Sequence, residues 1–76
     1  MISIAYTPGN IDPLKKDNNG NLIAHQVREY IEAIKSWAKA ESIVKKLIKD
    51  GHYDIFIDKY DRDNDLIAYK GFNQKT

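Results

Sequence analysis

NLIAHQVREYIEAIKSWAKAESIVKKLIKDG, running from Asn21 to Gly51, is the longest stretch of the chain without an internal glycine or a proline. Its residues are mostly strong helix formers: Ala, Leu, Glu, Lys, Gln and Arg. Asn21 can cap the first turn through its side-chain oxygen, and Gly51 can take the left-handed conformation that ends a helix. Lys45, Lys46 and Lys49 lie near that end, where the helix dipole favours positive charge. These features predict one long helix over residues 21–50.

The apolar residues of the stretch do not make one stripe. At about 100° per residue, Ile23, Val27, Tyr30, Ile31, Ile34 and Ala38 point one way. Ala40, Ile43, Val44 and Leu47 point another way, with Trp37 and Ile48 between the two sets. A break near Ser36–Glu41 would explain the change of face, with Ser36 as an internal cap. A single helix, straight or bent, explains it too, and the Ala38-Lys39-Ala40 run favours that reading. A helix of about 30 residues is ~45 Å long, while a strand of six residues spans only ~20 Å. The C-terminal half would therefore overhang its own sheet and need a partner, most simply a second copy of the chain.

On either side of this stretch the pattern changes to strands. Ile2-Ser3-Ile4-Ala5-Tyr6 alternates large and small residues, so Ile2, Ile4 and Tyr6 face a core. Residues 7–20 form a long connection rich in turn chemistry (Pro8, Gly9, Asp12-Pro13, Asp17 to Gly20), a surface meander pinned by Ile11 and Leu14 or a binding loop. After the helix, Tyr53 to Tyr60 and Leu66 to Lys70 read as two strands joined by the hairpin loop Asp61 to Asp65. Tyr53, Ile55 and Ile57 should face the helix, with Phe56 and Tyr60 on the opposite side. They are joined there by Ile67 and Tyr69 or by Leu66 and Ala68, according to register. Residues 72–76 are expected to fray. The expected fold is an α+β domain of order β-α-β-β, one long helix on a three-stranded sheet.

The chain has 76 residues and no cysteine, which excludes thiol catalysis, thiolate zinc sites and disulfides. No signal peptide or bilayer-spanning run is evident, and a cytoplasmic location follows as the default. The net charge is only +1, but it is unevenly laid out. Residues 35–49 carry five Lys against one Glu, and residues 50–65 carry six Asp against one Lys and one Arg. That split suits steering toward a complementary partner.

Motifs for chemistry are sparse. Asp61, Asp63 and Asp65 resemble the start of a calcium loop, but Leu66 and Phe72 occupy the positions that need Gly and a bidentate Glu. A polar hairpin tip accounts for them. His25 and His52 fall at opposite ends of the expected helix, and capping and intrahelical pairing suffice for both. No nucleophile elbow, Walker loop or dinucleotide fingerprint is present. No catalytic residue, metal or cofactor is therefore assigned, and the chain is not expected to be an enzyme.

Eight aromatic residues exceed what a small core needs, and Tyr and Trp are favoured interface anchors. The composition points to a protein-interaction module, a homodimer that also binds a protein partner. It fits a small inhibitor or antagonist of the kind phages and other mobile elements encode. Its contact residues would be Trp37, Ala40, Ile43, Val44, Leu47, Phe56 and Tyr60. A second class is a homo-oligomer that sequesters a small anionic ligand, such as a nucleotide, through Arg28, Lys35, Lys39, Lys46 and Lys49. The same basic face could contact nucleic acid, which the acidic hairpin disfavours. No membrane partner is expected.

Overall fold

A computed structural model describes residues 1–76 and splits the 21–51 stretch into three elements. The first is a single 3-10 turn at Ile23–His25. Next comes strand β2 at Glu29–Ile34. Helix α1 then runs only from Trp37 to Lys49. With β1 at Ile2–Thr7, β3 at Tyr53–Tyr60 and β4 at Leu66–Phe72, the order is β-β-α-β-β. The sheet has four strands in the order β2-β1-β3-β4, and every pairing is antiparallel. The domain is α+β with one helix, as expected. The single helix over 21–50 and the three-stranded sheet are both corrected.

The break falls at Ser36. Its backbone is extended (φ −150°), and its side-chain oxygen accepts the Lys39 amide at 3.1 Å, which supplies the cap for α1. At the other end Gly51 adopts φ 90°, and the His52 amide reaches back to the Leu47 carbonyl at 3.0 Å, closing the helix. Thirteen residues make a helix of ~20 Å, which matches the strands beneath it, so nothing overhangs.

A bulge explains why β2 resembles a helix in sequence. Ile2 pairs with Ile34 but Ile4 pairs with Ile31, leaving one extra residue in β2. Ala33 takes up the irregularity in the left-handed region, at φ 59°. Ile31 and Ile34 therefore both pack in the core although three positions apart, a spacing that a regular strand forbids and a helix favours.

The core lies between α1 and one sheet face. Ile2, Ile4, Ile34, Ala40, Val44, Leu47, Ile55 and Ile57 are its buried members. Ala40 is fully buried and Val44 is 1% exposed. The second apolar set of the 21–51 stretch thus covers the chain's own sheet, and the geometric reason for a second copy disappears. Lys59 and Ala68 pair, as do Asp58 and Tyr69, which places Tyr69 with Asp58 on the face away from the helix.

The connection after β1 is tied down by residues beyond the helix. The Tyr53 hydroxyl donates to the Ile11 carbonyl at 2.7 Å, and His52 Nδ1 accepts the Gly9 amide at 3.0 Å. Gly9 passes so close to the helix end that a Cβ there would meet the Gly51 oxygen at 2.5 Å. Leu14, expected as a pin, is 75% exposed and pins nothing. The C-terminal segment, expected to fray, is tied to β3 by hydrogen bonds. The Asp54 carboxylate accepts the Lys75 amide at 2.7 Å, the Thr76 amide at 3.3 Å and the Thr76 hydroxyl. No helix is long and apolar enough to cross a membrane.

Candidate functional site

Two surfaces remain once the core is assembled. The first is a groove between α1 and β2, the outer strand on that side of the sheet. Two concavities of about 510 and 520 Å³ share Ile31, Lys39 and Ile43, and so run together along the helix. Ile31, Ile34, Ile43 and Leu47 form the floor. Lys35, Lys39 and Lys46 stand along the rim, with Asp50 and Glu32 as the acidic members of the lining, Glu32 being an edge residue that also borders the opposite face of the sheet. The groove exists because Ser36 starts the helix only two residues after β2 ends. The helix is thereby set beside the strand edge, and β2 has no outer neighbour in the sheet. Its outward N–H and C=O groups are free to pair.

The second surface is the sheet face away from α1. Ala5 pairs with Tyr30 on one side and Phe56 on the other. Ser3 pairs with Asp58, which pairs in turn with Tyr69. The small residues of β1 thus make the floor of a trough, and the larger side chains of β2 and β3 make its walls. Tyr30 is 66% exposed and Tyr69 67% exposed, while Phe56 and Tyr60 are half-buried. Gly71 faces Phe56, and a Cβ there would meet the ring at 2.9 Å, so glycine lets the ring lie over β4. At one end Arg28 lies 5.7 Å from the Phe56 centroid. It donates to the Asp54 carbonyl at 2.8 Å and the Thr7 hydroxyl at 3.2 Å. Burial pushes the Asp58 carboxyl above its ordinary pKa, with nearby Arg28 opposing the shift.

The residues expected to bind are distributed as follows. Ala40, Val44 and Leu47 are buried in the chain's own core. They cannot form a partner interface, apart from the edge Leu47 lends to the groove. Trp37 is half-buried against that core and donates its indole N–H to Glu41 at 2.6 Å. Ile43 lines the groove, whereas Phe56 and Tyr60 belong to the opposite face. Lys35 and Lys39 line one concavity and Lys39 and Lys46 the next, Lys49 is exposed outside both, and Arg28 is engaged on the other side of the sheet.

Ile31, Ile34 and Ser36 were missed as groove residues because a helix over 21–50 hides the strand edge. Ser3, Tyr30, Glu32 and Asp58 were also missed. The large-small alternation of residues 2–5 was the available signal for that trough. The Asp61, Asp63 and Asp65 carboxylates do approach one another within 4.8 Å. Asp61 Oδ1 already accepts the Asp63 and Asp65 amides at 2.9 and 3.0 Å, the bonding of a tight polar turn. Comparison with protein-family models, curated proteins and solved structures gives no match.

Proposed function

We propose that the protein is a non-catalytic interaction module that binds an extended acidic segment of a partner protein along β2, beside the flank of α1. One observation carries this reading: an apolar groove rimmed by Lys35, Lys39 and Lys46 runs next to an unpaired strand edge. Strand addition supplies affinity through backbone hydrogen bonds, and alternate side chains supply specificity. Here apolar side chains of the segment would meet Ile31, Ile43 and Leu47, and its carboxylates the lysines. The bulge at Ala33 interrupts the edge, so the added segment is short. An inhibitor or antagonist role follows if the captured segment is one the partner uses elsewhere.

Selection from a displayed library of random peptides tests the reading. The expected result is enrichment of sequences alternating Ile, Val or Leu with Asp or Glu. Binding should be lost with Lys39→Glu and Lys46→Glu, and bound peptide should slow amide exchange at residues 29–32. Absence of enrichment, or binding indifferent to both charge reversals, would sink it.

A second reading, sequestration of a small anion, is favoured by the position of Lys35, Ser36 and Lys39 around one concavity of about 510 Å³. That is a ligand-sized volume. No aromatic ring lines it, so it offers phosphate contacts without base stacking. A rise in melting temperature with inorganic phosphate or nucleotides, absent in Lys39→Glu, would favour this reading over peptide capture.

A further inference from the structure

On the face opposite the groove, the trough above β1 deepens over Ser3 into a hollow of about 320 Å³. Its walls are Tyr30 and Glu32 from β2 and Asp58 and Tyr60 from β3, and Met1 and, from the hairpin, Asn64 complete the lining. No lysine or arginine side chain lines it. We propose that this hollow binds an organic cation, a guanidinium or alkylammonium head held between the two tyrosines and neutralised by Glu32 and Asp58.

The chemistry follows from the wall residues. Aromatic faces attract cations through their quadrupole, and more strongly where water is excluded. Two carboxylates on opposite strands supply the formal charge that such a head needs, and they accept charge-assisted hydrogen bonds. Ser3 is the reason there is room: a large residue at that position of β1 would fill the space between β2 and β3.

Of the chain's own cations near this face, Arg28 is engaged outside the hollow, whereas Met1 belongs to its lining and its ammonium is held by a backbone carbonyl. Arg28 is held by the Asp54 carbonyl and the Thr7 hydroxyl. The Met1 ammonium donates to the Tyr60 carbonyl at 2.8 Å. Asp58 is kept partly buried at a cost, as the upward displacement of its carboxyl by burial indicates. Burial is unfavourable for a carboxylate, nearby Arg28 offsets only part of it, and a cation bound in the hollow would offset more. The same acids argue against nucleic acid at this aromatic face, since Glu32 and Asp58 would repel phosphates.

The test is a titration of ¹⁵N-labelled protein at fixed ionic strength with N-acetyl-arginine amide, N-acetyl-lysine amide and choline. N-acetyl-citrulline amide serves as the neutral isostere of the first. Saturating shifts at the amides of Ser3, Tyr30, Glu32, Asp58 and Tyr60 are expected with at least one cation, and none with the citrulline compound. A stronger response to the arginine or lysine compound assigns the site to a partner's side chain. A stronger response to choline assigns it to a free quaternary ammonium. Asp58→Asn should weaken binding by about ten-fold, the loss of one charge-assisted contact, and Tyr60→Leu should weaken it independently. Asp58→Asn removes a partly buried charge, so the variant is expected to fold. Lys39→Glu, on the opposite face, should leave the titration at Ser3, Asp58 and Tyr60 unchanged, which separates this site from the groove. The proposal is overturned by an absence of saturating shifts at these amides, by equal shifts with the citrulline compound, or by a response that survives both Asp58→Asn and Tyr60→Leu.

Discussion

Asp54 combines two costs that few residues bear together. It is 2% exposed, and its backbone lies in the left-handed region at φ 49°, which aspartate tolerates better than most residues. Burial pushes its carboxyl pKa up. Hydrogen bonds from the Lys75 amide, the Thr76 hydroxyl and the Thr76 amide outweigh burial, Arg28 adds to them, and the net pKa is lowered. A carboxyl lowered in the folded state stabilises above its unfolded value of about 3.9. That stability is lost as the pH falls through the folded-state value. Asp54→Asn keeps the shape and removes the charge, so it should cost about 1–2 kcal/mol at neutral pH. The urea-unfolding curves of the two proteins should converge on acidification, and exchange at the Lys75 and Thr76 amides should quicken. Parallel pH profiles for variant and parent would show that the carboxylate does not hold the tail.

At the scale of elements, the boundary between β2 and α1 rests on two neighbouring residues. Ser36 supplies the only side-chain hydrogen bond to the free amides of the first turn that the structure records. Ser36→Ala should therefore cost about 1 kcal/mol, read as a lowered midpoint in thermal unfolding. Ala33 pays for the bulge with a left-handed backbone, a conformation that costs a residue bearing a Cβ roughly 1–2 kcal/mol. Ala33→Gly should then stabilise by a net of roughly 0.5 kcal/mol or more, after the extra entropy glycine loses on folding. A destabilised glycine variant would mean that the bulge is absent in solution and that residues 29–34 take another form. These two positions also decide the groove, because they set how closely the helix follows the strand edge.

For the molecule as a whole, the decisive question is what the helix covers. Val44 is 1% exposed and packs in the core between α1 and the sheet. An unpaired charge there should cost about 3–5 kcal/mol, a large share of the stability of a small domain. Val44→Asp is accordingly expected to abolish the far-ultraviolet helical signal and the cooperative transition together. A variant that stayed folded and merely changed its sedimentation coefficient would show instead that this side of α1 faces another subunit.

Much of this architecture was readable in the residues alone. The strand at 2–6, the hairpin strands at 53–60 and 66–70, and the helix from Trp37 onward all follow from local patterns that match their final environment. Residues 29–34 do not, because the Ala33 bulge puts Ile31 and Ile34 on one face at the spacing a helix would use. Only pairing with β1, more than twenty positions away in the chain, makes that segment a strand. The same long-range pairing decides the candidate surfaces. It separates Arg28 from Lys35, Lys39 and Lys46, which one helix would have set on a common face. It opens a groove along an edge that a continuous helix would not possess. It also gathers Tyr30, Asp58 and Tyr60 around Ser3. Charge and periodicity are local properties of a chain. Which side chains share a face of a bulged sheet is fixed by register, and register is set by the burial of the whole core.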